Sequence, residues 1–331
     1  MNHSEIGQIR LNIASREWVI YAPSRRKRPQ DFHAISSSEN SKKVKKNHCP
    51  FCDLNETIIL EMPSVDDRPW QTRVIQNKFP ALVSKGKPQR TKEGIYLTMP
   101  GYGQHEVVIE TPDHEQNLAL MPIAEIEVLI ETYHQRYLAL MEDSSNLLTI
   151  IFRNYGEKAG ASLTHPHSQI IATSIVPQHR RWTEEEAQRY FDRWGQCVYC
   201  DILSHEQENG QRIIGENETF VAFVPYAASL PFEIWIMPKE HQADFGSITP
   251  QEKTDFAHLL KDVLMRLYDK LNNPDYNYVI NTSARYKAEE PQVHWYCQIL
   301  PRLTITAGFE LATGININPS LPELDADFLN S

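Results

Sequence analysis

The sequence predicts an α+β protein made of two copies of one unit, antiparallel strands packed against a helix. Three observations predict it. Two Cys-x-x-Cys pairs, CPFC (Cys49 to Cys52) and CVYC (Cys197 to Cys200), each open the same series: a strand pair, a histidine, a helix, a strand ending near Asn, a loop and a strand with His. Residues correspond in order between the series, Asn154 with Asn281, His165 with His294 and Gln169 with Gln298. The chain also has 331 residues, 41% hydrophobic and 23% charged, which is enough for a full core. The expected division is 1–176 for the first half and 177–331 for the second.

In the first half, RVIQNKFPAL follows CPFC, and EVVIETPDH alternates as a strand does, ending at His114. Pro122 then opens a helix with Ile126, Leu129, Ile130, Tyr133, Tyr137 and Leu140 at helical spacing. LLTIIFRNYG is strand-like, and a loop of small residues leads into HPHSQII. TEEEAQRYFDRW connects the halves as a helix with polar faces. In the second half FVAFVPYA and FEIWIMPKEH lead to His241, and Thr249 with Glu252 forms a capping box with Pro250 at the first helical position. Phe256, Leu259, Leu260, Val263 and Leu267 line one stripe of that helix, and YNYVINTS and VHWYCQIL complete the copy. The polar, basic stretch Ser36 to Asn47 is expected to be a mobile loop.

No run of 18 apolar residues is present, so no membrane span is expected, and MNHSEIGQIRLN lacks the pattern of a secretory leader. A cytoplasmic location is expected. The formal charge of −10 counts against nucleic acid as the main partner. Without secretion, four of the five cysteines read as metal ligands rather than disulfides; Cys297, in an apolar context, reads as a small buried hydrophobe.

Each half supplies Cys₂His₂, a complete tetrahedral set for zinc: Cys49, Cys52, His114 and His165, then Cys197, Cys200, His241 and His294. His105 competes with His114 for the first set, and His114 is preferred because it aligns with His241. The halves differ two residues beyond the metal histidine, where one carries His167 and the other Tyr296. Positions i and i+2 share a strand face, so His167 stands beside the metal without being needed by it. With an ordinary pKa of ~6.5 it is largely neutral, and a neutral imidazole can attack phosphorus to give a nucleotidyl-histidine. Gln169, again on that face, can hydrogen-bond a non-bridging oxygen as charge builds there.

These residues resemble the galactose-1-phosphate uridylyltransferases of the histidine-triad superfamily over nearly the whole chain. REWVIYAPSRRKRP, CPFC, VIQNKFPAL, VVIETPDH, FRNYG, HPHSQ, FVPYAASLPFEIWIMPKEH and GFELATGININP carry the resemblance. It implies two histidine-triad-like halves, antiparallel sheets packed with helices, assembled as a homodimer. It places the nucleophile at His167 and its assisting glutamine at Gln169. Ser162 falls at a phosphate-contacting serine, Asn77 and Asn154 where the nucleotide is held, and Arg25 and Arg28 at arginines that reach the active site. Glu310 falls at a glutamate that binds hexose hydroxyls, with Asn316 in the adjoining loop. The implied partners are a sugar nucleotide and a hexose 1-phosphate. The implied reaction is ping-pong transfer of UMP from UDP-glucose to galactose 1-phosphate through uridylyl-His167, with zinc in a structural role.

Three features depart from the better-known members: Ser168 where many have Pro, a Cys₂His₂ second site where theirs is built from Glu and His, and no lysine ahead of Glu310. The HPHSQ strand, the second Cys-x-x-Cys and the GFELATGININP pattern look closer to the branch containing plant ADP-glucose phosphorylase, so adenylyl transfer through the same histidine is the alternative. A nucleotide hydrolase and a zinc-stabilised nucleic-acid-binding module are the other readings; His167 in one copy only and the acidic balance oppose the latter.

Overall fold

The computed structural model describes residues 7–22 and 49–331; Arg25, Arg28 and the Ser36 to Asn47 stretch lie outside them. The elements in the first half are β1 (Gln8–Leu11), β2 (Trp18–Tyr21), β3 (Ile58–Met62), β4 (Thr72–Gln76), β5 (Thr91–Glu93), β6 (Tyr96–Thr98), β7 (Gly103–Ile109), α1 (Ile123–Met141), β8 (Leu148–Tyr155) and β9 (His167–Thr173). The second half holds α2 (Gln178–Trp194), α3 (Val198–Asn209), β10 (Ile213–Glu216), β11 (Phe220–Phe223), β12 (Ile234–Pro238), α4 (Pro250–Lys270), β13 (Tyr276–Asn281), β14 (Tyr296–Pro301), α5 (Gly308–Thr313), β15 (Asn316–Asn318) and α6 (Pro322–Asn330).

Ten strands form one antiparallel sheet in the order β10-β11-β12-β14-β13-β8-β9-β7-β4-β3. The two copies therefore meet edge to edge rather than as separate sheets, and the unpaired edges each half would otherwise present are joined at β8 and β13. Phe152 lies opposite Val279 at that junction. Outward from it, Phe152 faces Gln169 and Val279 faces Gln298, so the two glutamines occupy equivalent places. Counting along the strands, His167 corresponds to Tyr296, Ser168 to Cys297, Val107 to Trp235, His105 to Glu233 and Arg153 to Ile280.

Helices α1 and α4 cover one face of this sheet. The stripe expected on each is buried: Ile126, Leu129, Ile130, Tyr133, Tyr137 and Leu140 on α1, and Phe256, Leu259, Leu260, Val263 and Leu267 on α4. Burial of each such side chain contributes about 1.5–3 kcal/mol against exposure. The capping box of Thr249 and Glu252 starts α4, with Pro250 at its first position.

On the opposite face the halves differ. Over the second half, α2, α3 and the segment before β2 pack Ala14, Ala187, Val198, Tyr199 and Leu203 with Val221, Phe223, Trp235, Met237 and Tyr296. Over the first half the described residues form a smaller cluster, Cys49, Phe51, Trp70, Ile75, Val107 and Ile109. A separate three-stranded sheet, β1-β2-β15, ties the N-terminal segment to the C-terminal one, with Asn316 beside Val19. No described helix is long and apolar enough to cross a membrane.

Candidate active site

The strand β9 presents alternate residues to the two faces of the sheet. Ser168, Ile170 and Ala172 are buried toward α1, and His167 and Gln169 look the other way. Pro166 precedes the strand, where its missing N–H costs no ladder bond. Its carbonyl still accepts from the Glu110 N–H at 3.1 Å, which holds β7 and β9 together at that end.

Cys49, Cys52, His114 and His165 converge, their ligand atoms all within 4.8 Å of one another. CPFC folds as a turn, with the Cys52 N–H donating to the Cys49 carbonyl at 3.1 Å, so both sulfurs point the same way. Cys52 Sγ lies 3.4 Å from His114 Nδ1 and 3.5 Å from His165 Nδ1. His165 Nε2 donates to the Thr111 carbonyl at 2.8 Å, which leaves the Nδ1 lone pair facing the sulfurs. Burial, foremost, lowers the His165 pKa to about 4, so the ring is neutral, as a metal ligand must be. Two thiols and two imidazoles in this arrangement fit a tetrahedral metal of the zinc kind.

Cys197, Cys200, His241 and His294 form the second cluster within the same limit. Cys200 Sγ is 3.4 Å from His241 Nδ1 and 3.5 Å from His294 Nδ1, so both rings again turn Nδ1 inward. Its setting is different: Cys197 is the N-cap residue of α3. His294 Nε2 is buried with no hydrogen-bond partner among the described residues, whereas its counterpart on His165 has a carbonyl.

His167 is separate from both clusters, as its spacing predicted. Its Nδ1 lies 2.8 Å from the His165 carbonyl oxygen. A carbonyl only accepts, so Nδ1 carries the proton and Nε2 keeps its lone pair. Burial, first among the causes, holds this imidazole below its ordinary pKa. The ring is 8% exposed and rests against Phe51, with ring centroids 5.3 Å apart. The result is a fixed neutral imidazole whose free nitrogen is the basic one.

Asn154 lies on β8, on the same face as Phe152 and two residues beyond it, and accepts from Asn277 Nδ2 at 2.8 Å. Asn77, just past β4, bonds backbone to backbone with His105 at 2.8 Å and lies 3.5 Å from Gln169 Oε1 through its side-chain nitrogen. Ser162 is exposed in the loop leading to β9. That loop begins at Gly156, where φ is +84° and a Cβ would lie 2.2 Å from the Asp275 carboxyl carbon, so only glycine fits. Asp275 also accepts from the Lys158 N–H at 2.7 Å, clamping the loop to the second half.

Two expected substrate residues lie elsewhere. Glu310 accepts from the Ala307 N–H at 2.8 Å and the Ile317 N–H at 3.0 Å, fixing the turn around α5. Asn316 lines a pocket with Asn281, Tyr296 and Gln298, the counterparts of the His167 surroundings in the other half. Within the chain neither is brought beside His167.

Sequence reasoning missed the buried support behind β9. Arg153 on β8 pairs with Glu110 at 2.9 Å, with side chains 2% and 0% exposed, and donates to Tyr276 Oη at 3.0 Å. Tyr133 donates to Ser168 Oγ at 2.7 Å and shares a hydrogen bond with Tyr278. His105 stands outside both clusters and lies against Gln169 and Asn77. The alternation of His105, Val107 and Ile109 placed it on that face, and that was the only signal.

Two family models match the chain, the galactose-1-phosphate uridyl transferase N-terminal domain over residues 1–177 and the C-terminal domain over residues 178–317. The chain is 36% identical over 325 residues to ADP-glucose phosphorylase of Arabidopsis thaliana, covering 96% of this chain and 90% of that one. It is 31% identical over 326 residues to galactose-1-phosphate uridylyltransferase of Thermotoga maritima, covering 96% and 95%. The solved structure of the Arabidopsis ADP-glucose phosphorylase with bound ADP-glucose superposes with a TM-score of 0.82 at 32% identity, covering 98% of this chain and 99% of that one. With both domain models matched and relatives above 30% identity along its length, the chain belongs to the galactose-1-phosphate uridyl transferase family of nucleotidyltransferases.

Proposed function

We propose that the chain transfers an adenylyl group from ADP-glucose to phosphate through adenylyl-His167. The observation that carries the covalent step is the hydrogen bond from His167 Nδ1 to the His165 carbonyl, which leaves Nε2 as the nucleophile. Nε2 attacks the α-phosphorus, forming an N–P bond while the P–O bond to glucose 1-phosphate breaks. The leaving group departs as a stable phosphate anion, so no strong general acid is required. Phosphate then attacks the same phosphorus, its oxygen forming the new P–O bond, the N–P bond breaks, and ADP leaves with the histidine restored. Adenylyl is placed ahead of uridylyl because the adenylyl-transferring relative is the more similar of the two reported, 36% against 31%.

The second reading is uridylyl transfer from UDP-glucose to galactose 1-phosphate through the same nitrogen, which the description of the matched family favours. In both, the residues proposed to hold zinc, Cys49, Cys52, His114 and His165, and Cys197, Cys200, His241 and His294, fix strands and turns; no step runs through the metal. Asn77, Asn154 and Ser162 are proposed to face the nucleotide and phosphates, and the protein is proposed to act as a cytoplasmic homodimer. Intact mass after incubation with ADP-glucose or UDP-glucose, without acceptor, tests the reading. An adenylyl adduct absent from His167→Ala supports it, a uridylyl adduct alone moves it to the second reading, and no adduct with either overturns it.

A further inference from the structure

We infer that His105 is a positioning residue that sets which end of the Gln169 amide faces the substrate. The inference rests on the proposed role of His167 and Gln169. Its starting point is the tautomer of His105. The Ala81 backbone N–H donates to His105 Nδ1 at 3.1 Å, and a backbone N–H can only donate. Nδ1 is therefore the bare nitrogen, and Nε2 carries the proton. Nε2–H lies 2.8 Å from Gln169 Oε1 and donates to it.

Asn77 adds a second donor to the same oxygen. Its Oδ1 accepts from the Phe79 N–H at 2.9 Å, which fixes its own amide and leaves Nδ2 between His105 Nε2, 3.1 Å away, and Gln169 Oε1, 3.5 Å away; because Nε2 carries a proton, the oxygen is the acceptor of the two. A reversed Gln169 would turn its NH₂ against two donors, a repulsive arrangement. With Oε1 held by His105 and Asn77, the NH₂ is left over as the donor available to a phosphoryl oxygen. No described residue accepts a hydrogen bond from it.

The second half carries the control. Glu233 holds the place of His105, and there the glutamine is turned round: Gln298 Nε2 donates to Glu233 Oε1 at 2.8 Å, and Gln298 Oε1 accepts from Asn281 Nδ2 at 3.3 Å. One change of residue on the neighbouring strand, from a fixed donor to an acceptor, reverses the amide. In the half without a nucleophile the NH₂ is consumed by the protein. In the half with His167 no described residue takes it.

The test is the single-turnover rate of nucleotidyl-His167 formation, with substrate affinity measured alongside, in His105→Phe, His105→Gln, Gln169→Ala and the double variant His105→Phe/Gln169→Ala. His105→Phe fills the site without a donor and should slow adduct formation about 10- to 100-fold with little change in affinity. His105→Gln restores a donor near Nε2 and should recover most of the rate. In the Gln169→Ala background, His105→Phe should have no further effect, because its action passes through Gln169. A merely structural role would lower the melting temperature and slow both backgrounds alike. That outcome, or a His105→Phe rate equal to the parent's, overturns the inference while leaving the His167 adduct intact. Absence of any His167-dependent adduct in the parent overturns both this inference and the function it rests on.

Discussion

The two halves share a strand order, a Cys₂His₂ cluster and a glutamine at the same place, yet only one has a histidine beyond the cluster. In the first half β9 carries His167, held by its own backbone and flanked by His105 and Gln169. In the second, Tyr296 stands there, stacked on Trp235 with centroids 4.4 Å apart and packed under Tyr199. The half with His167 has Val107 where the other has Trp235, so a large ring there lies against Tyr296. Behind the strand the difference is reversed: the half with His167 buries the charged pair Arg153 and Glu110, and the other has Ile280 in place of the arginine. At these corresponding places the half with His167 has polar fixation and the other has apolar packing.

The sharpest way to break this comparison is to exchange the residues that define it. His167→Ala should abolish the nucleotidyl adduct entirely. Tyr296→His should not create a second one, because Trp235 and Tyr199 still pack against that position; a second adduct by intact mass would show that this packing is irrelevant.

Removing one member of the buried pair should be nearly as severe for stability. Glu110→Ala leaves Arg153 charged and buried and should cost about 3–5 kcal/mol in denaturant unfolding. Ile280→Val at the corresponding place should cost about 0.5–1.5 kcal/mol. Equal losses would mean that the charged pair anchors nothing.

The metal clusters should separate next. His165 Nε2 is held by the Thr111 carbonyl and His294 Nε2 by no group among the described residues. Loss of such outer support costs about 10- to 100-fold in metal affinity. In competition with a zinc chelator the second site should therefore empty first, assigned by Cys49→Ser and Cys197→Ser. Simultaneous loss would count against the difference.

The smallest effect is at Ser168, whose counterpart is Cys297. Ser168→Ala removes the partner of Tyr133 but leaves Tyr133 its bond to Tyr278, so the cost should be about 1 kcal/mol. Thermal melting measures it, and a loss of several kcal/mol would place Ser168 among the main anchors of β9.

The repeat, both ligand sets and the separateness of His167 were legible because each rests on local spacing. Cys-x-x-Cys fits one turn, and residues two apart on a strand share a face. The helical stripes were legible for the same reason. The joining of the halves at Phe152 and Val279 was not, since strand pairing between residues more than a hundred apart leaves no periodic trace. His105 was weighed only as a ligand, because its hydrogen bonds to Ala81 and Gln169 depend on three separate segments meeting. Asn316 could be placed by resemblance but not in space, and it lies by Tyr296 rather than His167.

The sequence by itself determined which atoms are available: eight side chains able to ligate a metal in two sets, a histidine two residues past the first set, and a glutamine at the same place in each half. Residue type and short-range spacing suffice for that, because donor chemistry and strand alternation are properties of a few consecutive residues. Only the tertiary structure decided how those atoms are aimed. The tautomers of His165, His167 and His105 and the orientation of the Gln169 amide are set by carbonyls and N–H groups on neighbouring segments. A proton's place on an imidazole depends on what lies within 3 Å of each nitrogen, and that distance is fixed by folding, not by order along the chain.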